Sequence, residues 1–221
     1  MNTDQIFNGR VLRTSVLRTQ ARFYIGVDLG QAQDFSAITV IERAEVVGCE
    51  RDPVTYEYLT ETLFHLRHAE RIPLGSPYPE IVERVKEIAG RTPVAGWAKV
   101  IVDATGVGAP VVDLLKRAGL KCPVIPVVIT SGDMESSNGS GYRVPKRDLM
   151  AGLQVAFQKK RLRLARGMRG LDALVEELRA MRVRMSPEGY ERFSGGGTHD
   201  DLVLSLALAW WRASREAGWG C

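Results

Sequence analysis

The chain has 221 residues, 45% of them hydrophobic and 25% charged, enough to bury a full core as one large domain. No basic, apolar signal-like segment opens it, and the longest apolar run, Leu202 to Trp211, is too short to cross a bilayer. A cytosolic location without a membrane partner is therefore expected, and Cys49, Cys122 and Cys221, far apart and lacking a Cys-x-x-Cys pair, argue against a disulfide framework or a cysteine zinc site.

The net charge of +4 is unevenly spread. Residues 143–184 carry twelve Lys and Arg against four acids, a net +8, which leaves −4 for the rest of the chain. Such a segment fits a surface that meets a polyanion, and equally a solvated helix face.

Residues 1–21 show little apolar periodicity and read as a lead-in or linker end. Two runs rich in β-branched and aromatic residues, at about 22–29 and 36–46, flank a turn at Gly30 and predict a hairpin. Asp28 falls at the end of the first strand, beyond Ile25 and Val27, where burial is expected. A buried carboxylate calls for a positive partner such as a divalent metal, although Asp beside Gly also serves as a plain turn cap. A third antiparallel strand follows at about 54–66. His65 and His68 near its end have a metal-like spacing, but three residues along a strand point to opposite faces, which favours a structural role.

Pro77 and Pro79 open a helix over about 80–89, with Ile81, Val82, Val85 and Ile88 on one face and Gly90 at its end. Ala98 to Asp103 is a short apolar run that predicts a doubly buried strand, again closed by a carboxylate. A Gly-rich turn at 105–110 leads into a helix over 111–118 and a buried strand over 123–129. This order implies parallel crossovers, with Asp103 at the carboxyl end of a parallel strand, where open α/β sheets place their sites. No Gly-Lys pair exists in the chain, so a nucleotide-hydrolysing P-loop is not supported.

Residues 130–144, rich in Gly and Ser, read as a mobile loop or a hairpin able to order on a large ligand. A helix is expected over 146–160. Lys146 and Arg147 at its start suit phosphate binding, because free N–H groups point outward there. A basic strand over 161–165 and an amphipathic helix over about 171–182 follow. In the last element, Thr198 and Asp201 resemble a capping box, placing Asp200 and Asp201 in the first turn of an almost wholly apolar helix. Capping alone explains one acid, not two. Three acid sites, at two strand ends and one helix start, are what a two-metal phosphodiesterase requires, with hard oxygen ligands suited to Mg²⁺ or Mn²⁺.

Gly26-Val27-Asp28-Leu29-Gly30 with Asp34 six residues beyond Asp28, Val102-Asp103-Ala104-Thr105-Gly106, Val144-Pro145-Lys146-Arg147-Asp148 and His199-Asp200-Asp201-Leu202-Val203 together resemble the nuclease domain of tailed-bacteriophage terminase large subunits. That family belongs to the RNase H-like, RuvC-like superfamily. The resemblance spans about Arg22 to Trp211. It implies an α/β fold with a five-stranded mixed sheet of order 3-2-1-4-5 flanked by helices, bounded as 22–215 with a tail at 216–221. It also implies metal-dependent cutting of concatemeric viral double-stranded DNA during packaging, in the cytoplasm of a bacterial host. By position, Asp28, Asp103, Asp201 and Asp200 match the catalytic, metal-binding acids that hold two divalent cations, and Asp34 matches an accessory acid acting through water. Lys146, Arg147 and Arg143 match the DNA-contacting basic residues. No nucleotide is implied. Partners implied are a terminase ATPase domain or subunit, the small terminase subunit and the portal. The ATPase half of that family has no counterpart in these residues, leaving an excised domain or a stand-alone nuclease. A Holliday-junction resolvase would share the acids, and a non-catalytic packaging module would bind DNA without cutting it.

Overall fold

The computed structural model describes residues 5–7, 10–12, 18–30, 34–106, 108–185, 191–194 and 199–216. Its strands are β1 (Gln5–Phe7), β2 (Arg10–Leu12), β3 (Arg18–Asp28), β4 (Ser36–Arg51), β5 (Tyr58–Ile72), β6 (Ala98–Asp103), β7 (Val124–Thr130), β8 (Ser136–Ser137), β9 (Tyr142–Pro145), β10 (Leu162–Leu164), β11 (Arg182–Met185) and β12 (Glu191–Ser194). Its helices are α1 (Tyr78–Gly90), α2 (Gly108–Arg117), α3 (Lys146–Gln158), α4 (Leu171–Ala180) and α5 (Asp201–Ala213). Among the described residues no helix is long and apolar enough to cross a membrane.

The main sheet is mixed and runs β10-β5-β4-β3-β6-β7-β9-β8, with β3 antiparallel to β4 and parallel to β6. Three strands extend the expected five, which are β5, β4, β3, β6 and β7, at the two edges. Two of the additions come from the 130–144 stretch, which forms the β8–β9 hairpin and adds β9 parallel to β7. The third is the basic strand β10, which pairs parallel with β5 at the other edge. The sequence predicts the strand over 161–165 and allows a hairpin in 130–144, but not their places in the sheet, because edge pairing joins separate stretches of the chain.

Alternation along β3 and β6 sorts the core into two layers. Phe23, Ile25, Val27, Val100 and Val102 face α1 and α2, while Tyr24 and Ile101 face the side covered by α3, α4 and α5. Asp28 and Asp103 share the parity of Tyr24 and Ile101, so both lie on the α5 face. Every residue of α5 except Arg212 is buried, which is why its sequence is apolar all round.

Several expectations move. β3 begins at Arg18, so part of the supposed lead-in is sheet, and β1 and β2 pair with each other as a short antiparallel ribbon. The third strand starts later and runs longer than 54–66, because Asp52 accepts the Val54 and Thr55 N–H groups and makes 52–57 a turn. His65 lies 3.8 Å from Glu42 and His68 bonds Glu70 at 2.9 Å, so the two histidines have separate structural partners. The 130–144 stretch is pinned as well as paired. Asp133 meets Arg147, and Glu135 accepts from Trp211 Nε1 at 3.1 Å and ion-pairs with Arg215 at 2.9 Å. Glu216, assigned to a tail, is instead a half-buried hub that accepts from Tyr24 Oη at 2.7 Å and Arg22 at 3.0 Å, and also from Lys99. Residues 217–221 of that tail lie outside the described residues.

Candidate active site

Asp28 ends β3 and Asp103 ends β6. The parallel register pairs Val27 with Val102, so the two aspartates follow side by side on adjacent strands, whose spacing is about 4.8 Å. Each is 8% exposed. The turn after Asp103 is stitched down: Asp103 Oδ1 accepts the Thr105 N–H at 2.8 Å, and Thr105 Oγ1 accepts the Ile129 N–H at 2.7 Å.

The third acid arrives through a close helix–strand contact. A Cβ on Gly26 would sit 1.9 Å from the Ser205 carbonyl oxygen, so only glycine lets α5 approach β3 this closely. Asp201 is one helical turn before Ser205 and Asp28 is two strand residues after Gly26. Those steps, about 6 Å along the helix and about 6.6 Å along the strand, bring the start of α5 to the end of β3. Asp201 is 6% exposed there.

The electrostatics follow from this crowding. Burial first, then the charges of Asp103, Asp201 and Asp200, push the Asp28 carboxyl well above the ordinary carboxylate range, against the pull of Lys146. Burial also raises Asp103, opposed by its Thr105 hydrogen bonds and by Lys146. Asp201 is pushed up to about 6 by burial and then by Glu177, with His199 and Arg71 opposing. Lys146 Nζ donates to Asp200 Oδ2 at 2.8 Å, so the first lysine of α3 serves as a counter-ion to the acids.

Glu177 carries no motif and was invisible to sequence reasoning. It is 3% exposed on α4, and its carboxylate accepts the Leu202 N–H at 3.3 Å, the Val203 N–H at 2.9 Å and the Arg71 guanidinium. It therefore caps the helix that carries Asp200 and Asp201. Asp200 is the N-cap residue yet makes no side-chain cap bond, and Thr198, the other half of the expected capping box, lies outside the described residues. No local spacing could reveal a cap supplied from 25 residues away.

Other sequence candidates are placed differently. Asp34 is exposed and lines a cleft of about 250 Å³ with Ser36, Pro73 and Tyr78, and is not among the charges acting on Asp28. Arg143 is exposed on β9. Arg147 is taken up by Asp133 at 2.6 Å and Asp148 at 3.4 Å, and Lys146 by Asp200, so neither expected phosphate contact is free of a carboxylate.

Among the described residues, no three His, Cys, Asp or Glu side chains stand close enough together to form a ready metal cage. The donor set nonetheless fits hard divalent cations. It consists of carboxylate oxygens with a surplus of negative charge, and Asp201 Oδ2 is buried without a hydrogen-bond partner, His199 Nδ1 lying 3.7 Å away.

The fold, a mixed sheet between two helical layers with acids at the carboxyl end of its central strands, is similar to that of a phage terminase nuclease domain. The solved nuclease domain of the Thermus phage P74-26 large terminase superposes with a TM-score of 0.60 at 21% identity, over 91% of this chain and 84% of that one. No protein-family model matches the chain, and no curated protein sequence matches it.

Proposed function

We propose that the chain is a metal-dependent DNA endonuclease that cuts concatemeric viral double-stranded DNA during genome packaging. The observation that carries this reading is the meeting of buried Asp28, Asp103 and Asp201 at one edge of a terminase-like sheet, with an unpartnered carboxylate oxygen on Asp201. Asp28, with Asp103 beside it in the sheet and Asp201 and Asp200 at the start of α5, would hold the cations. Two Mg²⁺ or Mn²⁺ ions held there would supply an activated water and stabilisation of the leaving 3′-oxygen.

The chain's own groups set the conditions for that chemistry. Burial keeps water from competing for the carboxylates, and their repulsion makes the metal-free site unfavourable, which favours cation uptake. Glu177 and Arg71 fix the start of α5, so Asp201 is held in place rather than recruited. Lys146, released from Asp200 when the acids are neutralised, becomes available to the phosphate backbone. In its setting the enzyme would act on the DNA in a bacterial cytoplasm, beside a terminase ATPase domain or subunit, the small subunit and a portal.

The test is nicking and linearisation of supercoiled plasmid without nucleotide, in Mg²⁺, Mn²⁺ or EDTA, for the wild type and folded Asp28→Asn and Asp103→Asn. Metal-dependent cutting lost in both variants is expected. Cutting retained in either variant sinks the assigned site, and DNA binding without any cutting by the wild type sinks the nuclease.

A further inference from the structure

Between β10 and α4 the sequence repeats itself in miniature: Ala165-Arg166-Gly167-Met168-Arg169-Gly170-Leu171. The structure turns each half into a β-turn. Met168 N–H bonds the Ala165 carbonyl at 3.3 Å and Leu171 N–H bonds the Met168 carbonyl at 3.1 Å. In each turn arginine holds the second position and glycine the third, with φ of 73° at Gly167 and 79° at Gly170, the type II pattern that demands glycine. The second turn is also clamped to the sheet, since a Cβ on Gly170 would lie 2.2 Å from the Ala69 carbonyl oxygen. Two arginines are thereby held out at successive turn tips by rigid backbone. Both are exposed, and among the described residues neither has a hydrogen bond or ion pair.

Their position relative to the acids follows from topology. β10 is parallel to β5, and β5 is parallel to β3 because β4 reverses the direction between them. The tandem turn therefore leaves β10 towards the same sheet edge as Asp28, three strand spacings, or about 14 Å, to the side; it starts level with Tyr24, about 13 Å short of Asp28 along the strand, and reaches the level of Gly26 at Gly170, about 6.6 Å short. The chain then continues as α4, whose Glu177 caps the start of α5. On the opposite flank, Lys146 and Arg147 are already paired with Asp200 and Asp133. Exposed positive charge without a carboxylate partner among the described residues therefore lies on this flank at the tandem turn, and on the opposite flank at Arg143 of β9.

We propose that Arg166 and Arg169 form a backbone clamp for duplex DNA, gripping phosphates to one side of the one that lies over the acids. The proposal rests on the nuclease reading for its substrate. With the duplex axis across the strands, about 14 Å corresponds to about four nucleotides along one strand at 3.4 Å each.

The test measures binding of a fluorescent 30-base-pair duplex by anisotropy against KCl in EDTA, so that cleavage cannot intervene. Arg166→Gln/Arg169→Gln is compared with Lys159→Gln/Lys160→Gln, which removes the same charge from exposed residues at the far end of α3, about 20 Å from Lys146. The clamp variant should lower the slope of log K against log salt by about two, at about 0.9 per phosphate contact, while the control leaves it unchanged. An unchanged slope in the clamp variant, or an equal loss in the control, overturns the proposal. Plasmid cleavage by the wild type, run in parallel, separates the two readings. Cutting without the slope change removes the clamp alone, and the slope change without cutting leaves a DNA-binding surface that is not a nuclease.

Discussion

Gly26→Ala tests how the third acid is brought to the other two. The added methyl would meet the Ser205 carbonyl oxygen at 1.9 Å, whereas an ordinary contact is at least 3.4 Å, so α5 and β3 must separate by about 1.5 Å. Neither side yields easily. β3 is hydrogen-bonded on both sides, and α5 is tied at one end by Glu177 and at the other by Glu216, which accepts from Tyr24. Overpacking of this kind costs about 1–3 kcal/mol, or about 2–12 °C in Tm for a domain of this size. Displacement of Asp201 from Asp28 by more than 1 Å should lower metal-dependent cleavage by about 10²-fold. Thermal unfolding and plasmid cleavage read the two effects. Gly90→Ala serves as the control, since a Cβ there meets nothing within 4 Å. A Gly26→Ala protein with wild-type Tm and wild-type cleavage would refute the docking argument.

Three further outcomes follow from the electrostatics. Asp28→Asn should raise the metal-free Tm, because the native carboxyl is held above its usual range by burial and by neighbouring acids, and should abolish any rise in Tm on adding Mn²⁺; a Tm lowered without metal contradicts the crowding. Lys146→Met removes the built-in counter-ion of Asp200, so calorimetry should find Mn²⁺ bound up to about fivefold more tightly, on a pair worth about 1 kcal/mol; weaker binding would show that Lys146 assembles the site instead. Glu216 feels burial most, which would raise its carboxyl, yet the hydrogen bonds from Lys99, Tyr24 and Arg22 together hold it at about 2. A depressed acid stabilises the fold above its unfolded value of 4.5 and loses that contribution as pH falls towards 2. Glu216→Gln should therefore lower stability by about 2–3 kcal/mol at neutral pH and flatten the acid limb between pH 4.5 and 2, seen by urea unfolding across pH.

Much of the fold was legible from local pattern. Alternating β-branched residues marked β3, β4 and β6, the apolar face of 80–89 marked α1, and the uninterrupted apolar run after Asp201 marked a buried helix. The acids could be read for the same reason: a charged residue directly after buried strand residues conflicts with its surroundings, and that conflict is visible without a partner in view. What could not be read was every feature whose partners are far apart in sequence. Glu177 looks like one more acid on an amphipathic helix until α4 packs on α5 and its carboxylate meets the Leu202 and Val203 N–H groups. The strand over 161–165 and the hairpin alternative over 130–144 could be read, but not their places at the two edges of the sheet, because the β8–β9 hairpin joins β7 and β10 joins β5, outside their own stretches of sequence. The pairing of Lys146 with Asp200 and of Arg147 with Asp133 turned apparent free cations into spoken-for ones, since a charge count cannot see distance. Sequence alone determined which residues conflict with burial and which segments are strand or helix, because both are encoded within a few neighbouring positions. Only the tertiary structure decided which charges meet, because that depends on Gly26 letting α5 lie against β3 and on partners brought together from opposite ends of the chain.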